Sequence, residues 1–307
     1  MNIRVAAIDC GTNSIRLLVA EASGGEMREL FRDLRLTRLG QGVDATGEFH
    51  PDALARTLAA CDEFAAVIED FGVERLRFVA TSAARDARNR DDFYAGVRAR
   101  LGVDAEIISG AEEAQLSFDG ALAALPDAAA PALVMDIGGG STELVTGRPG
   151  APAHGISLDM GSVRVRERFL HSDPPSAAEI AEASAFIDGL LDASGVDFAA
   201  QRTWIGVGGT ATSLAAIAQD LEAYDRTRVH RSTITRGALE SLATRLLTSP
   251  VATVLEIPTM VPGRADVICA GALISHRVGV RMRVDLRVSE ADILDGLVAE
   301  MLAGEQH

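Results

Sequence analysis

Apolar residues recur along this chain in two rhythms, and the switches between them predict its elements. Apolar runs at 3–8 and 15–22 read as a strand and its return, and 27–39 as a third strand region, forming an antiparallel opening. Residues 52–68 change to helical spacing, with Leu54, Leu58, Cys61, Ala65 and Ile68 on one face and Gly72 as the stop. A strand at 75–80, a helix at 91–101, a strand at 104–108 and a helix at 111–125 follow. The second half repeats the plan: strand, loop and returning strand over 133–145, a strand at 156–160, a helix at 176–193, a strand at 203–207, and helices at 210–219 and 235–247. Periodicity leaves 260–278 open between a buried helix and a buried strand, after a Pro-Gly turn. Ser289-x-x-Asp292 is a capping pattern that predicts a last helix over 291–302. The polar, glycine-rich stretch 40–49 reads as a flexible loop. Two prolines bracket small residues at 126–131, which sets the predicted boundary between domains 1–125 and 126–307.

Between the strands of 133–145 lies Asp136-Ile-Gly138-Gly139-Gly140-Ser141-Thr142-Glu143. Without Cβ atoms, successive backbone N–H groups there can turn toward one point, a concavity that favours an anion, although a hairpin turn uses glycine too. Asp9-Cys-Gly11-Thr12-Asn13-Ser14-Ile-Arg16 overlays it without a gap, matching Asp9 to Asp136, Gly11 to Gly138, Ser14 to Ser141 and Arg16 to Glu143. A second pair of turns follows in each half: Thr81 to Arg85 after one strand, and Gly208-Gly209-Thr210 after another. Two halves with the same ordered pieces indicate a duplicated domain, and such domains tend to place a ligand cleft between them. Candidate phosphate donors are Gly11, Thr12, Asn13, Ser14, Arg16, Arg85, Gly138, Gly139, Gly140, Ser141, Thr142, Gly208, Gly209 and Thr210, with Asp9 at the strand end of the first loop. Asp9 and Asp136, at the same place in the two repeats, read either as aspartates that cap loop N–H groups or, with Glu143, as an oxygen-rich cluster suited to Mg²⁺ or Mn²⁺.

Composition narrows the chemistry. With 307 residues, 48% of them hydrophobic, the chain is long enough for two cores. A formal net charge of −15 argues against nucleic acid or an anionic membrane as partner, so a polyanionic substrate must be attracted locally. All 29 basic residues are Arg, which excludes a Walker A lysine and Schiff-base chemistry. Cys10, Cys61 and Cys269 are isolated and the six histidines lack metal-ligand spacing, so neither zinc nor a disulfide framework is expected and a reducing cytoplasm is the simplest setting. No stretch reaches the roughly 18 apolar residues of a membrane span.

The motifs DCGTNSIRLLV, VATSAARDA, EIISGAEEAQLSFDGA, DIGGGSTELV and GVGGTATSLAAI, in that order, make the chain resemble the exopolyphosphatase/guanosine pentaphosphate phosphatase family of the actin and sugar-kinase superfold, in its short two-domain form. Thr12 departs from the family's usual Ser but keeps the hydroxyl. The resemblance implies an α/β fold of two ribonuclease-H-like domains, metal at Asp136 and Glu143, and hydrolysis of the terminal phosphoanhydride of inorganic polyphosphate. Guanosine pentaphosphate is the alternative substrate, a cytoplasmic homodimer the expected form, and the last helix is expected to pack back near the seam between the domains. A sugar kinase, an ATPase or a nucleotide sensor would use the same loops. Within Ser109-Gly-Ala-Glu112-Glu113, Ser109 and Glu112 form a capping box, and the family's catalytic glutamate is placed at Glu113. On the residues alone Glu113 is a solvated first-turn acid, favourable to the helix dipole.

Overall fold

The structure, a computed structural model, describes residues 3–23, 26–125, 127–148, 151 and 153–303. The chain divides into two compact units, residues 1–116 with 293–307, and residues 117–292.

Unit 1 opens with β1 (Ile3–Cys10), β2 (Ser14–Ser23) and β3 (Glu26–Leu36). It continues through α1 (Val43–Thr46), α2 (Pro51–Asp70), β4 (Arg75–Ala80), α3 (Ser82–Asp86), α4 (Arg90–Leu101), β5 (Ala105–Ile107) and the first half of α5 (Gly110–Ala123). Its sheet has the order β3-β2-β1-β4-β5, antiparallel among β1 to β3 and parallel through β1, β4 and β5. Strand β1 is apolar at consecutive positions because both its faces are covered. Ala6, Ile8 and Cys10 face a core shared with Phe64 of α2 and Phe93 of α4, while Val5 and Ala7 face Leu116 of α5.

Unit 2 comprises β6 (Ala132–Ile137), β7 (Thr142–Gly147), β8 (His154–Leu158), α6 (Ser162–Phe169), α7 (Ala177–Ala193), β9 (Thr203–Val207), α8 (Gly208–Ala218), α9 (Arg226–Val229), β10 (Thr233–Ile234), α10 (Arg236–Thr248), α11 (Val251–Leu255), α12 (Ile268–Arg281) and β11 (Leu286–Val288). Its sheet order, β8-β7-β6-β9-β11-β10, repeats that of unit 1 with one strand added. The duplication expected from the motifs is therefore a duplication of topology. One core, centred on the fully buried Trp204, lies under α6, α7, α8, α10 and α12.

Several elements differ from the sequence reading. The division falls inside α5 rather than at 126–131, where Pro126 lies outside the described residues. The last helix, α13 (Ile293–Ala303), belongs to unit 1, where Ile293, Leu294, Leu297 and Val298 pack on Val5, Ala7, Leu18 and Val79. Gly296 lets it approach α5, since a Cβ there would lie 2.2 Å from the Leu116 carbonyl oxygen. Ser289 does not cap α13; its hydroxyl bonds the Ala291 N–H and carbonyl in a tight turn two residues earlier. Residues 40–49 are not an open loop. They contain α1, bounded by Gly42 and Gly47 at φ of 74° and 69°, and they bury Val43 and Phe49. Asn89 bonds both the N–H and the carbonyl of Phe49. The open reading of 260–278 resolves into α12, a helix. Helix α6 has too few apolar residues in SVRVRERF for periodicity to show it, and β10 and β11 are too short.

Candidate active site

In open α/β sheets ligands bind beyond the carboxyl ends of the parallel strands. In unit 1 those ends lead into Gly11–Asn13 after β1, Thr81 after β4 and Ser109 after β5; in unit 2 they lead into Gly138–Ser141 after β6, Gly208 after β9 and Ser289 after β11. Each unit thus gathers its predicted site residues at one end of its sheet.

The two glycine loops share one turn. Gly11 N–H donates to the Ser14 carbonyl at 2.9 Å, and Gly138 N–H to the Ser141 carbonyl at 3.0 Å. What braces each turn decides where its other groups face. In unit 2 the Gly138 carbonyl accepts from Ser162 N–H at 2.8 Å and the Gly140 carbonyl from Gly161 N–H at 3.2 Å. The Gly139 carbonyl accepts from Val163 at 3.0 Å and Arg164 at 3.1 Å. Three consecutive carbonyls therefore face the start of α6. A trans peptide points its N–H opposite to its C=O, so the N–H groups of Gly139, Gly140 and Ser141 turn to the other side together and form an anion nest. Gly161 permits this approach, because a Cβ there would lie 2.1 Å from the Gly139 oxygen. In unit 1 residues 37–40 act as the brace. Thr37 and Arg38 donate to the Asn13 carbonyl at 3.1 and 2.9 Å and Gly40 to the Thr12 carbonyl at 2.8 Å, which turns the N–H groups of Asn13 and Ser14 away from that segment.

The acidic positions are set by hairpin register. Asp9 pairs across the strands with Arg16, and Asp136 with Glu143. Arg16 gives two donors to Asp9 Oδ2, from Nε at 3.0 Å and Nη2 at 2.5 Å, so part of its guanidinium serves Asp9. Glu143 is 2% exposed and accepts from the Ser157 hydroxyl at 2.8 Å. Asp136 sits against the first turn of α8, where a Cβ on Gly208 would lie 2.4 Å from its Oδ1. Among the described residues no group of three or more His, Cys, Asp or Glu could hold a metal ion. Mg²⁺ commonly takes only one or two carboxylates, completing its shell with water and substrate phosphate, so Asp136 and Glu143 as a cross-strand pair fit it.

Two predicted hydroxyl donors face inward instead. Thr142 is fully buried and donates to the Met160 carbonyl at 2.6 Å, and Thr210 donates to the Ile137 carbonyl at 2.9 Å. Their side chains hold loops together, and the donors offered at these turns are backbone N–H groups. Gly208 takes φ of 74° to enter α8, whose first N–H groups lack intrahelical acceptors. Sequence reasoning missed Arg264, whose Nη1 donates to the Gly209 carbonyl at 2.8 Å and the Ser213 hydroxyl at 3.2 Å, placing a cation on this turn. Its only signal was an arginine in a Pro-Gly turn. In unit 1, Arg85 Nη1 joins the Ile108 carbonyl at 3.0 Å to Glu113 Oε2 at 2.9 Å. Glu113 is thereby held, 14% exposed, while Glu112 is 47% exposed and lies 3.5 Å from Arg77. Half of the capping box is present: Glu112 N–H donates to the Ser109 hydroxyl at 3.2 Å.

Residues 18–303 match the model of the Ppx/GppA phosphatase family. The chain is 46% identical to Exopolyphosphatase 2 of Mycobacterium tuberculosis, over 98% of this chain and 99% of that one. It is similar to the crystal structure of the Aquifex aeolicus Ppx/GppA family member, with TM-score 0.86, 30% identity and full coverage of both chains. An exopolyphosphatase from Cytophaga hutchinsonii superposes with TM-score 0.92 at 25% identity, over 98% of each chain. No helix among the described residues is long and apolar enough to cross a membrane. The chain belongs to the Ppx/GppA phosphatase family.

Proposed function

We propose that this chain is an exopolyphosphatase, which removes the terminal phosphate of inorganic polyphosphate by attack of water on the outermost phosphoanhydride. The observation that carries the reading is the pairing of the nest formed by Gly139, Gly140 and Ser141 with the carboxylates of Asp136 and Glu143 in one hairpin. A nest of N–H groups attracts phosphate, and two adjacent carboxylates repel it, so both features serve one ligand when a divalent cation accompanies the phosphate. Asp136 and Glu143 would hold Mg²⁺ or Mn²⁺, which when bound supplies Lewis-acid neutralisation of phosphoryl oxygens. The chain's own groups do the rest. Within unit 2 the turned-out N–H groups of Gly139, Gly140 and Ser141 and the guanidinium of Arg264, and within unit 1 the N–H groups of Asn13 and Ser14 and the guanidinium of Arg85, are the donors suited to phosphate oxygens and to the charge that shifts onto the leaving group. Glu113, fixed by Arg85, accepts the proton of the attacking water. The water oxygen bonds the terminal phosphorus as the bridging P–O bond breaks; the bridging oxygen departs on the polyphosphate shortened by one unit, and the terminal phosphoryl with the water oxygen is released as orthophosphate.

The substrate assignment is supported by the names of the relatives above and tested by one assay. Orthophosphate release is followed with Mg²⁺, and again with a chelator, from tripolyphosphate, long-chain polyphosphate and guanosine pentaphosphate. Metal-dependent release from polyphosphate is expected. Release from guanosine pentaphosphate alone would replace the substrate, and ADP formation that needs a sugar acceptor would replace the reaction class. A homodimer and a cytoplasmic setting are the remaining parts of the proposal; they rest on family likeness and on the reduced cysteines, and light scattering tests the first.

A further inference from the structure

Ser157 lies on β8 and is the register partner of Glu143 on β7. Its side chain reaches from an exposed position to a carboxylate that is 2% exposed, and the hydroxyl donates to Glu143 Oε1 at 2.8 Å. A buried carboxylate at that position has rotational freedom about its terminal torsion unless a donor fixes it. Ligands to a metal are generally oriented by such outer donors, and losing one typically weakens metal binding about 10–100-fold. The register gives Ser157 this place directly: Asp136, Glu143 and Ser157 lie side by side across three adjacent strands, β6, β7 and β8.

We propose that Ser157 is a positioning residue for the divalent cation, orienting the carboxylate of Glu143 from the neighbouring strand. The inference rests on the assignment of Asp136 and Glu143 as metal ligands. Unit 1 has no counterpart to this requirement, since Arg16 occupies the position of Glu143 and bonds Asp9 itself. The hydroxyl is therefore tied to the acidic copy of the loop.

The test is direct metal binding, read by the loss of free Mn²⁺ signal in electron paramagnetic resonance titrations of the full chain without substrate. Wild type, Ser157→Ala, Ser157→Thr and Glu143→Gln are compared, with melting temperatures measured alongside. Ser157→Ala is expected to raise the Mn²⁺ dissociation constant about 10-fold. Ser157→Thr, which keeps the hydroxyl and suits a strand, should stay within about 3-fold of wild type. Wild-type affinity in Ser157→Ala, with binding lost in Glu143→Gln, would overturn the role of Ser157 and leave the metal assignment standing. Unchanged binding in Glu143→Gln would overturn the metal assignment and this inference with it. Equal weakening in the Ala and Thr variants would also overturn it, because the effect would not then follow the hydroxyl.

Discussion

Replacing Glu113 by Gln keeps the side-chain volume and one acceptor oxygen but removes the group assigned to take a proton from water. The structural cost is small. The Arg85–Glu113 pair is partly exposed, 24% and 14% at the two side chains, and the amide oxygen can still accept from Arg85, so about 1 kcal/mol or less is lost. Arg85 also remains bonded to the Ile108 carbonyl at 3.0 Å. The kinetic cost is of another size. A positioned general base contributes about 10²–10⁴-fold, which is about 3–5 kcal/mol of activation free energy. Glu112→Gln is the control one residue away. Its backbone N–H bond to Ser109 survives the change, and its 3.5 Å pairing with Arg77 is exposed, so stability falls by about 0.5 kcal/mol or less and kcat stays within about twofold. The assay is initial-rate orthophosphate release from tripolyphosphate at saturating Mg²⁺, with melting curves on both variants. An active Glu113→Gln enzyme beside a dead but folded Glu112→Gln enzyme would reverse the roles. Full activity in both would remove α5 from the chemistry.

Three further outcomes are expected. Gly208→Ala must adopt φ of 74° and would set its Cβ 2.4 Å from Asp136 Oδ1, so it should cost about 1–3 kcal/mol in thermal unfolding and raise the Mn²⁺ concentration needed for half-maximal rate; an unchanged metal requirement would separate Asp136 from the cation. Thr142→Val leaves the Met160 carbonyl without its 2.6 Å donor and should cost about 1–3 kcal/mol of stability with KM for polyphosphate within about twofold; a large rise in KM would return the hydroxyl to the phosphate. Glu179 is held down to about 2 by bonds from the Ser176 and Ser172 backbones, so its stabilisation is present above its ordinary value of 4.5 and is lost as pH falls toward 2; the melting gap between wild type and Glu179→Gln should be widest above pH 5 and close on acidification, and a gap that widens in acid would contradict the sign.

How much was legible depended on whether the signal was local. Hairpin arithmetic places residues seven apart opposite one another around these turns, so the matched slots of Arg16 and Glu143 could be read from the overlay. The inner strands β1, β6 and β9 showed because they are buried on two faces and therefore continuously apolar. Helix α6 did not show, and with it went the reason the second glycine loop turns its N–H groups outward. SVRVRERF offers Val165 as its buried apolar anchor, and its positioning comes from backbone bonds to residues more than twenty positions earlier. Thr142 illustrates the opposite error. A hydroxyl after three glycines looks like a phosphate donor until the fold shows that alternation along β7 points it into the core. The membership of α13 in unit 1 is equally non-local, since its apolar face fits the side of β1 that α2 and α4 leave open.

The duplicated loops also show how one turn can carry opposite charges without changing its backbone. In unit 1, Asp9 is balanced within the hairpin by Arg16, and the brace at residues 37–40 is a segment with no helix end. In unit 2 the equivalent slot holds Glu143, so the hairpin carries two acids, and here the surroundings change to match. The start of α6 donates into the loop carbonyls from behind, and the start of α8 meets Asp136 at Gly208, so two helix N-termini, each carrying partial positive charge, converge on the acidic copy. Arg264 adds a full charge at the second of these. Helix ends offset part of the repulsion between Asp136 and Glu143 but supply no ligand oxygen and cannot replace a cation. The arrangement therefore lowers the cost of keeping the acid pair assembled, whereas in the unit 1 copy Arg16 already balances Asp9 within the hairpin.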